Sequence, residues 1–416
     1  MFFFEKLGLL VENLWKQQNY DERAFPKVAY RAMKELPPDQ HVTFWDAVQW
    51  GLTKNPLIAQ SDIDADFGQP PLTVFNGRDF RIEVLFWVHG IPGIHEHGFS
   101  GAFHVMHGSS IHTHWRFNIE NRINTRLLLG TTHLETGEIL HKGDIRPIIS
   151  GNEFIHTTFH LECPSVSVVV RTTTELDRQP QLGYEPPSVA YASQNPVPTI
   201  RRRAQILNML YIGGQRKEYF EMLRHMLATS DAYAAFYYVT QANGLIRDEE
   251  TRQNVLLAAK ITHPRLVEAI TPTLAYSRRQ EEIRKLRQKA SSPEQRFVLA
   301  IVMNIPELKI ALELLRQEYP GRDPVKMIID CVTDLSNRNL LGVTFKHSWL
   351  EVLTGLVSGL TEDEIEQQFI PTYGFDRRGE FRRVIESVQE FWLLKPLFNG
   401  RREQSIRMVQ ASALSA

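Results

Sequence analysis

Hydrophobic positions change their period along the chain, and the changes mark out its parts. In residues 1–70, Leu7, Leu10, Val11 and Leu14 recur at helical spacing, as do Val28, Ala32 and Met33, so helices are expected there. Gln69-Pro70-Pro71 breaks that pattern. From 72 to 174 the chain turns to short runs rich in β-branched and aromatic residues, separated by glycine turns. These runs predict strands near 72–76, 80–89, 101–107, 110–117, 125–133, 138–142, 154–159 and 165–173. Many short strands at near-regular spacing indicate a sandwich or a small barrel. Glu135-Thr136-Gly137-Glu138 reads as a hairpin turn.

The prolines at 180, 186, 187, 196 and 198 fall in a stretch without periodicity, read as a connector over 181–199. Helical patterns follow, for example over 219–227, 249–259, 307–315 and 381–392. Ser292 before Pro293-Glu294, and Thr361 before Glu362-Asp363-Glu364, are set as N-caps. No fixed repeat period is present. The expected division is therefore N-terminal helices over 1–70, a barrel over 71–180, the connector, an α-helical domain over 200–400 and a frayed tail over 401–416. The class is α+β: an antiparallel β-barrel with N-terminal helices, followed by an all-α C-terminal domain.

With 416 residues, two domains are expected. A net charge of −1 gives no reason to expect nucleic acid or an anionic membrane as partner. No stretch is long and apolar enough to span a bilayer. Cys163 and Cys331 read as two reduced thiols, and the location is expected to be cytoplasmic.

Histidine changes this picture. Eleven of the fifteen histidines fall between His89 and His160, which points to metal chemistry without saying which residues bind. His95 and His97 form an H-x-H pair, whose spacing sends both imidazoles to one side of an extended segment. A third ligand must come from another strand, and the glycine-bounded segment 143–156 offers His156. His112 and His114 form a second H-x-H pair. Ile111, Thr113, Trp115 and Phe117 carry the apolar character of that strand, so the two histidines are expected to point outward. His107 is expected near the barrel mouth, and Glu96 away from the metal.

These segments resemble the two characteristic motifs of the cupin superfamily: G…HxH…G over 90–108 and GD…P…G..H over 143–156. Leu85-Phe86-Trp87 followed by Ile94-His95-Glu96-His97 is most similar to the thiol dioxygenase branch, whose cysteine dioxygenases carry an LCW…IHDH stretch. The resemblance covers about a quarter of the chain. It implies a cupin-type barrel with one metal ion on His95, His97 and His156. Most cupins add a glutamate ligand seven residues before the closing glycine, and Gly101 stands there. That implies a three-histidine site, as in bacterial thiol dioxygenases. Fe(II) with O2 as co-substrate is the expected pairing, and zinc, nickel or manganese also suit such a ligand set.

The family's substrate-holding groups have changed. On the strand 72–75, Val74 stands in the place of the arginine that holds the cysteine carboxylate. On the strand 165–171, Arg171 aligns with the late tyrosine and Val169 with its histidine partner. Free cysteine is therefore not the expected substrate. Arg171 shares a face with Val169 and Ser167; inside the barrel it either pairs with a buried carboxylate or awaits an anionic substrate group. Arg78 and Arg81 are weaker candidates for the same task. His160, four residues past His156, is read either as a group that hydrogen-bonds near the metal or as a satisfied buried histidine. The expected function is a non-haem Fe(II) oxygenase acting on a small or peptide-borne metal-chelating substrate, with Arg171 and His160 in catalytic roles. A metal-dependent isomerase or hydrolase stands as an alternative. So does a non-catalytic metal-binding cupin whose helical domain docks a protein partner or forms a homodimer.

Overall fold

The apolar stripes on the N-terminal helices find their partner in a sheet that is buried on both faces. The computed structural model describes residues 2–61, 68–88, 93–173, 180–192, 196–374 and 378–399. Gly90, which opens the first motif, and the tail 401–416 lie outside the described residues. Helices α1 (Phe2–Lys16), α2 (Phe25–Glu35), α3 (Pro38–His41) and α4 (Phe44–Thr53) precede the strands. Thr43 caps α4 through a reciprocal capping box with Asp46.

Eleven strands follow: β1 (Pro71–Asn76), β2 (Phe80–Trp87), β3 (Ile94–His97), β4 (Gly101–His107), β5 (Ser110–Asn124), β6 (Leu127–Leu140), β7 (Ile145–Ile148), β8 (Gly151–His160), β9 (Ser165–Thr172), β10 (Gly183–Glu185) and β11 (Val189–Tyr191). One sheet runs β1-β2-β9-β4-β7, and the other closes in the order β10-β11-β6-β5-β8-β3, with antiparallel pairing. The result is a cupin-like antiparallel barrel with N-terminal helices before it and an all-helical region after it.

Alternation along β2 and β9 divides two cores. Ile82, Val84, Phe86, Val166, Val168 and Val170 face outward and pack with Phe4, Leu7, Val11, Phe25 and Met33 of the helices. Leu85, Trp87, Phe103, Val105, Val169, Ile148, Phe154 and Leu140 form a second cluster inside the barrel. Because each strand is covered on both sides, its sequence reads as a near-continuous apolar run.

The helical region comprises α5 (Pro198–Ile212), α6 (Arg216–Thr229), α7 (Ala232–Leu245), α8 (Glu249–Thr262), α9 (Pro264–Gln288), α10 (Pro293–Asn304), α11 (Leu308–Glu318), α12 (Pro324–Asn337), α13 (His347–Val357), α14 (Glu362–Tyr373) and α15 (Arg378–Gln389). Ser292 and Thr361 cap α10 and α14 as the sequence indicates. Contacts divide the chain into two compact units, Met1–Glu135 with Leu140–Ser277, and Thr136–Ile139 with Arg278–Ala416. The division falls inside α9 rather than at 181–199. In the first unit, residues of α5 to α9 pack against Leu127, Leu129 and Val189 of the barrel. In the second, Gln280 donates to the Met303 carbonyl at 2.8 Å, and Arg279 donates to the Val302 and Leu393 carbonyls.

Two expectations about strands are corrected. The stretch 181–199 is not a structureless connector: Gly183–Glu185 and Val189–Tyr191 pair as a short hairpin, and Gly183 pairs onward with His95 of β3. Its anchors are Tyr184 and Val189, 4% and 0% exposed, which carry no readable period in so short a run. No hairpin turn forms at 135–138, because β6 continues through to Leu140. Gly137 serves close packing instead, since a Cβ there would sit 3.0 Å from Ile305 and 3.2 Å from Ile310. Among the described residues no helix is long and apolar enough to cross a membrane.

Candidate metal centre

Strand register places the histidines. His95 of β3 lies opposite His156 of β8, and His114 of β5 lies opposite His156 from the other side. Directly paired residues share a face, so all three point the same way, and His112 joins them two residues along; His97 reaches the same group across an irregularity of β3 between His95 and His97. His95, His97 and His156 are 8%, 4% and 4% exposed, and each offers a ring nitrogen within 4.8 Å of the others. His97 Nε2 and His156 Nε2 are 2.8 Å apart. The Gly93 carbonyl, 2.8 Å from His95 Nδ1, turns the other nitrogen of that ring toward the group.

The donor set suits a divalent cation. Burial holds all three imidazoles below the usual histidine range, His97 and His156 well below it. Each therefore keeps a ring lone pair at neutral pH. With metal–nitrogen bonds of about 2.0–2.1 Å, donors on one ion sit roughly 3 Å apart, close to the 2.8 Å between His97 and His156. Gly101 adds no carboxylate: its backbone runs so close to β9 that a Cβ would overlap the Val170 carbonyl oxygen.

The three histidines lie on the wall of a cavity of about 40 Å³, which Leu85, Phe103, Val105, Leu140, Ile148 and Val169 make largely apolar. That is room for roughly three water-sized centres. Arg171 also lines it. Its guanidinium stacks on Phe99 at 3.7 Å, and the Phe99 ring is 4.5 Å from that of His97. Glu83, 2% exposed, pairs with Arg171 at 3.6 Å and with Arg81 at 2.9 Å. Of the two possibilities for an inward Arg171, pairing with a buried carboxylate is thus realised. Arg78 is exposed.

His160 lines the same cavity. Its Nδ1 is 2.9 Å from Ser110 Oγ, its ring stacks on Trp87 at 4.6 Å, and burial pushes its pKa down to about 3. Trp87 is itself fixed, its indole N–H donating to Ser167 Oγ at 3.0 Å. Glu96 points away from the cavity, where the Tyr184 hydroxyl donates to it at 2.6 Å.

The structure differs from the sequence reading at four further residues. His112 and His114 do not point outward. His112 is 0% exposed, and its Nε2 lies 3.0 Å from His156 Nδ1. The inference from apolarity failed because the opposite face of β5 is buried as well, with Ile111 and Thr113 at 0% and Trp115 at 6%. Val74 does not face the cavity: the strand is irregular between Thr73 and Phe75, and Val74 joins the core under the N-terminal helices while Thr73 pairs with Glu83. His107 lies against Phe44 of α4, their rings 4.8 Å apart, because β4 is irregular between Val105 and His107. Glu83 and His112 are the site residues missed. Glu83 had a signal, as a lone acid in phase with Leu85 and Trp87 on an apolar strand.

Comparison with family models and with curated proteins finds no match. Among solved structures, the chain matches a cupin-2 domain containing protein from Shewanella frigidimarina NCIMB 400. The identity is 14%, over 34% of this chain and 99% of that one, with a TM-score of 0.20. At that score the match carries no weight, and the cupin-like description rests on the strand order and closure given above.

Proposed function

We propose that this protein is a mononuclear non-haem iron oxygenase of the thiol dioxygenase type. Its substrate would be a small or peptide-borne chelating molecule with an acidic group, other than free cysteine. The observation that supports this best is the convergence of three neutral, buried imidazoles on a small apolar cavity that also holds a guanidinium. His95, His97 and His156 would hold Fe(II), which when bound supplies open positions for a substrate heteroatom and for O2.

The chain's own groups would bind, orient and exclude water. Arg171, stacked on Phe99 and paired with Glu83 at 3.6 Å, would share its guanidinium between Glu83 and a carboxylate or similar anion of the substrate. No arginine lies on β1, so an amino acid held there through its carboxylate is disfavoured. Leu85, Phe103, Val105 and Val169 give the cavity apolar walls, which strengthens each polar contact within it. His160, neutral and held by Ser110 and Trp87, offers one ring nitrogen to a substrate polar group or a proton in transit.

The test is anaerobic loading of the full chain with Fe(II), then oxygen uptake with pools of thiol, amino and carboxylate compounds. Iron-dependent uptake that is lost in His97→Ala and weakened in Arg171→Met is expected. Tightly bound zinc with turnover in the absence of O2 would replace this reading by a Lewis-acid isomerase or hydrolase. Biological function surviving His97→Ala would point to a binding module.

A further inference from the structure

Ligand histidines in metal sites have two ring nitrogens, and what holds the second one fixes the tautomer and the ring angle. His95 and His156 are held differently here. His95 Nδ1 meets a backbone carbonyl, that of Gly93. His156 Nδ1 meets a fourth histidine, His112, at 3.0 Å.

From this contact we infer that His112 is the positioning residue of the proposed metal centre. It would hold His156 in the tautomer that leaves Nε2 free for the cation. The inference rests on the proposed three-histidine site and deepens it. Once Nε2 of His156 gives its lone pair to a cation, the ring proton must reside on Nδ1. That N–H then donates to His112 Nε2, so the proton of a neutral His112 resides on its own Nδ1.

The packing suits an oriented acceptor. The His112 ring is 0% exposed and stands edge-on to His156 at 85°. Phe103 at 5.7 Å and His114 at 4.5 Å flank it. Strand register fixes the approach, since His112 pairs with Thr158, two residues beyond His156 on β8. A neutral imidazole acceptor differs chemically from the carboxylate that often fills this position. It aligns the ligand through a ring nitrogen, and a carboxylate, that of Glu138, stands beyond it with His114, within 4.8 Å of His112.

The experiment is titration of the metal-free full chain with Co(II), followed by its visible d–d spectrum, for wild type, His112→Gln and His112→Phe. Glutamine keeps an acceptor oxygen; phenylalanine keeps the shape and removes it. Phenylalanine is expected to weaken Co(II) binding by about 10–100-fold and to shift the spectrum, with glutamine restoring most of both. Equal affinity and spectra for wild type and His112→Phe would overturn the inference. A wild type that binds no Co(II), Zn(II) or Fe(II) would instead remove the metal centre itself. Should His112→Phe fail to fold, 15N NMR of the Zn(II)-loaded, histidine-labelled wild type decides. A protonated His156 Nδ1 coupled to His112 Nε2 supports the assignment, and an unprotonated Nδ1 overturns it.

Discussion

Glu83→Gln should destabilise this protein far more than an ordinary surface charge change, and adding Arg171→Met to it should cost little more. Glu83 is 2% exposed and faces two guanidinium groups, Arg81 at 2.9 Å and Arg171 at 3.6 Å. At an effective dielectric constant of about 20, charges at such separations attract by roughly 4–6 kcal/mol each before desolvation is counted. The two arginines are direct cross-strand partners on β2 and β9, so they repel once the carboxylate is neutralised. Removing one member of a buried ion pair typically costs about 3–5 kcal/mol, because the remaining charge stays buried. The expected loss for Glu83→Gln is therefore about 3 kcal/mol or more. Arg171 is longer in its pairing and its side chain is 16% exposed, so Arg171→Met alone should cost about 1–2 kcal/mol.

The double variant leaves one guanidinium beside a neutral amide and should recover roughly 1–2 kcal/mol of the summed losses. The assay is urea unfolding of the metal-free full chain. The transition that contains the barrel would be followed by tryptophan fluorescence, since Trp87 lies in the same cavity. Additive losses, with coupling under about 0.5 kcal/mol, would refute the idea that Glu83 and Arg171 share one buried electrostatic unit.

Two further outcomes follow from the same geometry. His160 has its folded pKa depressed from 6.5 to about 3, so its neutral form is kept in the fold while the unfolded chain takes up a proton. The stability is fully present above pH 6.5 and is lost as pH falls, by up to about 1.4 kcal/mol per pH unit. Urea midpoints of His160→Gln should flatten relative to wild type between pH 6.5 and 4.5; parallel curves would contradict this. Gly101→Ala places a Cβ against the Val170 carbonyl and should cost about 1–3 kcal/mol by forcing β4 and β9 apart, read as a lower unfolding midpoint. An unchanged midpoint would mean that the strands separate freely there.

The fold was legible from one-sided apolar stripes on helices, from cap residues, and from the near-continuous apolar runs of strands such as β2, β4 and β9. The N-terminal helices, the caps at Ser292 and Thr361 and most of the strands belong to this class. The facing of side chains was not legible where both faces are buried, and a strand too short to show a period was missed. β5 misled because Ile111 and Trp115 are buried outside while His112 is buried inside, so apolarity could not tell the faces apart. β10 and β11, three residues each, sit among prolines that hid them. Val74 was misplaced because an irregularity on β1 breaks the alternation that sequence counting assumes. His95, His97 and His156 come together because His95 pairs directly with His156, although β3 is itself irregular between His95 and His97.

Charge is distributed in the cavity so that one group can act on two others. Arg171 sits across Phe99 from His97, and its positive charge is among the causes that hold His97 below the ordinary range, after burial and the neighbouring His95. The guanidinium that favours an anion therefore also keeps a ring nitrogen unprotonated. Under the proposed function these effects couple. A cation on the three histidines would add positive charge beside Arg171, which is unfavourable until an anionic ligand enters and offsets both. Linkage then requires the anion to strengthen cation binding by the same factor by which the cation strengthens anion binding. Glu83 sets the baseline from which this coupling starts, because it already offsets part of the positive charge of Arg81 and Arg171. Without Glu83 the anion would bind more tightly in either state; with it, the cation's added charge makes the larger difference to whether the anion binds at all.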